Sequence, residues 1–122
     1  MEDERLKNKN AIDSWKKAFS GIWYSIKTQR HVRVQLLIAL VVILCCIFFK
    51  LDIIECMFLT FATMLVIITE VMNTAVEEAV NLCTSKFHPI AKIAKDVAAG
   101  AVVLSAINAV IIAIFIVVKN IM

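Results

Sequence analysis

The chain has 122 residues, 61% of them hydrophobic, with 13 Lys and Arg against 10 Asp and Glu and a formal net charge of +3. That apolar fraction excludes an ordinary water-soluble domain, and two Gly and one Pro are too few for a turn-rich β fold. What remains is an all-α integral membrane protein, read as one domain over residues 1–122.

Residues 1–10 are charged with mixed sign and read as a solvated tail. With residues 1–30 polar and charged, no cleavable leader is expected. Asp13 or Ser14 is expected to cap the next helix, although Ile12 already belongs to its apolar face. Ile12, Trp15, Phe19, Ile22 and Ile26 recur at helical spacing, Trp23 and Tyr24 widen that face, and Lys16, Lys17 and Lys27 lie off it. The spacing predicts a basic amphipathic helix over 11–28, lying in the membrane interface; the alternative is a packing helix of a soluble core.

Residues 28–33 form a polar, basic hinge before a first membrane helix over 32–50, which reaches across ~30 Å if its flanking side chains snorkel. A tight polar break at 50–52 leads into a second helix, 53–83, with no turn residue to interrupt it. On that helix Glu70, Asn73, Glu77 and Asn81 fall within roughly 80° of one another. A polar, acidic stripe on a membrane-type helix is costly and is by default functional. Residues 84–89 break the helix, and Pro89 can open the next. The third membrane helix is expected over 90–118, and its small residues Ala98, Ala99, Gly100 and Ala101 permit close helix approach. Cys45, Cys46, Cys56 and Cys83 lie in or beside apolar runs without CxxC or metal-ligand spacing, so buried thiols are expected.

Eight Lys and Arg precede the first span, one follows it, three lie between the second and third, and one follows the third. The basic ends should be cytoplasmic, which puts the N-terminus inside. Hinge, stripe and the Lys95–Asp96 pair then converge on the cytoplasmic interface. That cluster holds carboxylates (Glu70, Glu77, Glu78, Asp96), amides (Gln29, Asn73, Asn81), cations (Arg30, Arg33, Lys92, Lys95) and two histidines (His31, His88). Carboxylates suit hard cations such as Mg²⁺, Lys and Arg suit phosphate oxygens, and a carboxylate can accept an alcohol proton. These are the components of phosphoryl transfer, although no GxxxxGK[ST] loop is present. The bland alternative keeps Glu70 neutral and hydrogen-bonded between helices, Glu77 and Glu78 solvated, and Lys95–Asp96 as a plain charge pair.

Glu70-Val-Met-Asn73-Thr-Ala-Val-Glu77 resembles the E-[IV]-[ILM]-N-[ST]-A-[IV]-E signature of the small prokaryotic diacylglycerol kinase and undecaprenol kinase family. Ala94-Lys95-Asp96 followed by small residues resembles its second motif, and the Ala-Ala-Gly-Ala form is similar to the Gram-positive undecaprenol kinases. The resemblance covers nearly the whole chain. It implies a homotrimeric bundle in a bacterial inner (plasma) membrane, with sites shared between neighbouring chains. It implies γ-phosphoryl transfer from Mg²⁺-bound ATP to a lipid alcohol, undecaprenol or diacylglycerol, with no nucleic-acid partner. The implied roles are Glu70 as base for the lipid hydroxyl, Glu77 and Gln29 at the metal, and Lys17, Asn73, Glu77, His88, Lys95 and Asp96 at the nucleotide. Arg33 and Ala99 join Glu70 on the lipid side.

The family usually carries Glu where this chain has Gln29, Asp where it has Asn81, and in Gram-positive members Asn where it has His31. Two lost acids would weaken a dication site, because an amide oxygen brings no charge. Read from residue types alone, restoring both acids should raise activity or lower the magnesium requirement. Three functions compete: an active lipid kinase, a catalytically weakened relative that binds lipid or nucleotide, and a small membrane subunit with Glu70 in a proton or ion path.

Overall fold

The computed structural model describes residues 3–122. A single 3₁₀ turn at Glu4–Leu6 precedes four helices: α1 (Ala11–Thr28), α2 (Arg30–Phe48), α3 (Ile53–Cys83) and α4 (Pro89–Ile121). No strand occurs among the described residues.

Asn10 caps α1, with Oδ1 accepting the Asp13 N–H at 2.8 Å, so neither Asp13 nor Ser14 is the cap. Asp13 instead lies in the first turn, where a carboxylate is favoured by the helix dipole. It accepts the Lys9 N–H at 3.1 Å and pairs with Lys17 at 3.2 Å. The hinge expected over 28–33 contracts to one extended residue, Gln29. Nothing in Arg30 to Arg33 breaks a helix, so α2 starts two residues earlier than expected. Arg33 Nη1 reaches back to the carbonyls of Ile26 and Lys27, both at 2.9 Å, and satisfies the end of α1.

The α2–α3 turn is tight. Phe49 N–H bonds Cys45 O at 3.0 Å, Leu51 N–H bonds Cys46 O at 3.3 Å, and Lys50 is left-handed at φ 50°. This is a Schellman ending at a non-glycine residue, which costs on the order of 1 kcal/mol. Asp52 then opens α3 with a reciprocal capping box. Its Oδ1 accepts the Glu55 N–H at 2.9 Å, and its own N–H donates to Glu55 Oε2 at 3.3 Å. At the α3–α4 turn Pro89 occupies the first helical turn, as expected, and His88 is the cap.

α3 is the centre: α4 packs along most of it, α2 along less, and α1 touches α2 and α3 only where it meets them. Ala62, Val66, Glu70 and Thr74, spaced four apart, form its buried stripe. Thr69 and Ser105 hydroxyls bridge α3 to α4 at 2.9 Å. The core is small. Among the described apolar side chains only Val32, Ala62 and Val66 are fully buried, while α2 and α4 are apolar on their outer faces. All three long helices are long and apolar enough to cross a membrane, so the fold is that of an integral membrane helical protein. α1 leaves Ile12, Trp15, Phe19 and Trp23 exposed on one side, the surface an interfacial helix presents to lipid. Cys45, Cys46 and Cys56 are partly covered, but Cys83, the last residue of α3, is exposed rather than buried because no element lies over it.

The far end of the bundle holds an ionic tie absent from the sequence reading. Lys119 Nζ bridges Asp52 at 2.9 Å and Glu55 at 2.8 Å, and Asn120 donates to Glu55 Oε1 at 3.1 Å. The tie levels the start of α3 with the end of α4. At 1.5 Å per residue a ~30 Å slab is crossed by about 20 residues, so α3 leaves it near Asn73. A slab that begins at the tie would thus place Glu70 at its boundary, with Glu77 and Asn81 beyond it.

Candidate functional site

Along α3 the polar stripe emerges by degrees. Glu70 is buried at 7% exposure, Asn73 and Glu77 are partly covered, and Asn81 is exposed. Among the described residues no hydrogen bond reaches the Glu70 carboxylate; only its main-chain carbonyl is used, by Thr74 Oγ1 at 3.0 Å. The interhelical hydrogen-bonded carboxyl of the bland reading is therefore not what forms. A buried acid without a partner is expensive to keep, which marks Glu70 as chemically poised.

Asn73 Nδ2 donates to Glu77 Oε1 at 3.3 Å. That orients the Asn73 amide so that its Oδ1 is buried with no donor. Such an orphaned acceptor costs about 1–3 kcal/mol. An amide oxygen and a carboxylate side by side are the donors a hard dication takes, so the pair fits Mg²⁺ in kind. Among the described residues no three His, Cys, Asp or Glu side chains converge as a metal site.

About 16 Å along the helix from Glu70, at Asn81, the stripe opens into a cavity of about 510 Å³ at the α3–α4 turn. Asn81, His88, Lys92, Lys95 and Asp96 line it, with Lys86 and the turn residues Thr84 and Ser85. Lys95 and Asp96 do not pair with each other. Lys95 Nζ donates to Asn81 Oδ1 at 2.8 Å, and Asp96 is held by Lys92 at 2.6 Å, one helical turn before it. His88 Nδ1 accepts the Ile90 N–H at 3.1 Å, which leaves Nε2 as the ring nitrogen that can donate. With three lysines against one aspartate, the cavity suits an anion.

The remaining expected residues are not all gathered. Gln29 stands at the α1–α2 junction, and among the described residues no hydrogen bond joins it to Glu77. Arg33 is engaged by the end of α1. Lys17 pairs with Asp13 and donates to the Lys7 carbonyl, away from the stripe. Ala99 is exposed on α4, one turn past Asp96. The structure adds Lys86 and the turn hydroxyls, which a count of apolar spans passes over. It also adds Tyr24, whose phenol is held above its usual range by the nearby Glu78 carboxylate.

A family model described as prokaryotic diacylglycerol kinase matches residues 16–117. A protein of Synechocystis sp. (strain ATCC 27184 / PCC 6803 / Kazusa) named diacylglycerol kinase is 40% identical over 104 residues, 84% of this chain and 59% of that protein. The chain thus spans about three-fifths of that relative. A protein of Bacillus subtilis (strain 168) named undecaprenol kinase is 36% identical over 115 residues, 94% of each chain. One of Escherichia coli (strain K12) named diacylglycerol kinase is 36% identical over 98 residues, 80% of this chain and 77% of that protein.

Proposed function

The chain belongs to the prokaryotic diacylglycerol kinase family, a family of membrane lipid kinases, and from that premise we propose that it phosphorylates a lipid alcohol with ATP at the α3–α4 face. The observation that carries this is the sequence of groups along α3. A buried, unpartnered carboxylate (Glu70) is followed by an oxygen pair (Asn73, Glu77), and then by a lysine-lined cavity.

Each group has a task in that reaction. Glu70 accepts the proton of the lipid hydroxyl at the level where a lipid alcohol lies in a bilayer. Lys95 and the Nε2–H of His88 bind phosphate oxygens. Asn73 Oδ1 and Glu77 would hold the magnesium of the nucleotide, with Gln29 as a neutral further ligand. The nucleotide supplies the γ-phosphoryl group and the metal neutralises its charge. Arg33, Lys17, Asp96 and Ala99 border these groups in the proposed assembly. That assembly is a homotrimer in a bacterial inner membrane with the N-terminus inside. Neighbouring copies close the site over the apolar faces that one chain leaves open.

For the lipid we propose undecaprenol. The Bacillus subtilis relative named undecaprenol kinase matches over 94% of both chains, and the Ala98–Ala101 run has the small-residue form noted above. Diacylglycerol is the second reading, favoured by the 40% identity to the Synechocystis protein. A catalytically weakened, binding role is the third, favoured by Gln29. The deciding assay is ATP-dependent phosphorylation of undecaprenol and diacylglycerol side by side in mixed micelles. Faster turnover of undecaprenol is expected. Faster turnover of diacylglycerol reverses the order, and no turnover of either leaves the binding role.

A further inference from the structure

We propose that Asn81 is a positioning residue: its side-chain oxygen holds the Lys95 ammonium at the cavity without cancelling the charge that an incoming phosphate needs. The inference rests on the nucleotide reading of this cavity and adds to it a residue of a different kind.

Asn81 and Lys95 meet across the α3–α4 turn at 2.8 Å, and both line the cavity. An ammonium has three N–H donors, so two remain once Asn81 takes one. Among the described residues the only acid lining the cavity is Asp96, and Lys92 already holds it at 2.6 Å. Glu77, one turn before Asn81, is bonded to Asn73 and does not line the cavity. Lys95 thus meets a fixed dipole rather than a counter-charge. A carboxylate at this position would hold the ammonium as firmly, but it would offset most of the attraction felt by an anion a few ångströms away. Residue types alone suggested that an acid at position 81 would strengthen a metal site. The geometry reverses that expectation, because the side chain reaches Lys95 and not Glu77.

The reversal gives the test a sign that a metal-site role does not share, and the neutral Asn81→Ala separates a structural one. If Asn81 only staples α3 to α4, Asn81→Ala loosens the staple and leaves anion binding alone. If it positions an uncancelled charge, Asn81→Asp weakens anion binding. The measurement is equilibrium binding of ADP and, separately, inorganic tripolyphosphate to the intact protein in detergent, at low and high salt. Asn81→Asp should weaken both probes roughly tenfold at low salt and flatten the salt dependence. Asn81→Ala, which frees the ammonium without opposing it, should weaken them about threefold with the salt dependence kept. In a Lys95→Met background, Asn81→Ala should lose its effect, because no ammonium is left to position.

Binding by Asn81→Asp as tight as the parent's, or tighter, overturns the inference. Lipid phosphorylation measured on the same preparations separates the two readings. Turnover by the parent with unaltered probe binding by Asn81→Asp removes the positioning role alone. No turnover by the parent, with both probes bound in the expected order, removes the kinase reading and supports the positioning role.

Discussion

Glu70→Gln tests the proposed chemistry most directly, because the substitution keeps shape and removes basicity. Glu70 is 7% exposed, and its carboxylate receives no hydrogen bond from the described residues. An amide of the same size therefore leaves no cavity and breaks no bond, and it removes the cost of holding an unpaired acid out of water. Thermal unfolding should be unchanged or slightly raised. Turnover should fall, because an amide cannot take the hydroxyl proton. General-base loss typically costs 10²–10⁴-fold, which is about 3–5 kcal/mol of barrier at 1.36 kcal/mol per tenfold. The assay is lipid phosphorylation at saturating ATP and magnesium, with the KM for ATP followed in parallel. The loss should appear in kcat, since Glu70 lies about 16 Å along α3 from Asn81 and its cavity. Glu70→Asp, which keeps a base but draws it back toward the helix, should fall between the two. A Gln variant within tenfold of the parent would make Glu70 a structural residue and move the base elsewhere.

Gln29→Glu should lower the magnesium concentration needed for half-maximal turnover, as a titration of ATP turnover would show, and an unchanged curve would mean the amide is neutral there. The Lys119 ammonium beside Asp52 holds that carboxyl below its usual range, so the tie stabilises the fold above the ordinary carboxylate pKa and is lost as pH falls through the depressed one. Melting in mild detergent should therefore decline below about pH 4, and Asp52→Asn should melt lower at pH 7 with a flatter acid limb. Ser105→Ala removes the hydroxyl bridge to Thr69 and should cost about 0.6 kcal/mol in reversible unfolding, since Thr69 keeps its bond to Val66 O. Chemical cross-linking in mild detergent should stop at three chains, and a monomer with full activity would contradict shared sites.

The helices were legible in the sequence because their causes are local. Apolar spacing, Pro89 and the polar break at 50–52 bound α1 to α4 within a few residues. The errors fell where side-chain bonds decide. Asn10 rather than Asp13 or Ser14 caps α1, because the residue whose oxygen reaches the third N–H of the helix wins, whatever the apolar pattern suggests. A basic string at 30–33 looked like a hinge, yet Arg33 turns back onto α1 and the helix simply continues. The motif residues of α3 were visible as a stripe, but their partners were not. That Lys95 meets Asn81 while Asp96 meets Lys92 depends on how α4 is rotated against α3. The Lys119 tie joins residues more than sixty apart, and no local pattern announces it.

That rotation also separates two departures that look alike on paper. Gln29 and Asn81 each replace an expected acid with an amide, and by composition each subtracts one negative charge from a dication site. Their surroundings differ. Gln29 is a partly covered residue at the α1–α2 junction whose side chain makes no capping bond, and in the proposed metal role its amide oxygen would be a weaker substitute for a carboxylate. Asn81 is bonded to a lysine in a cavity whose lining lysines outnumber its one acid, so its neutrality preserves positive charge where phosphate would bind. Phosphoryl transfer needs both kinds of charge, acids for the metal and cations for the phosphate, and it needs them kept apart. On that account the loss at position 29 weakens one half of the site and the loss at position 81 protects the other. Under the proposed function, activity limited by metal affinity rather than by nucleotide affinity follows from that difference.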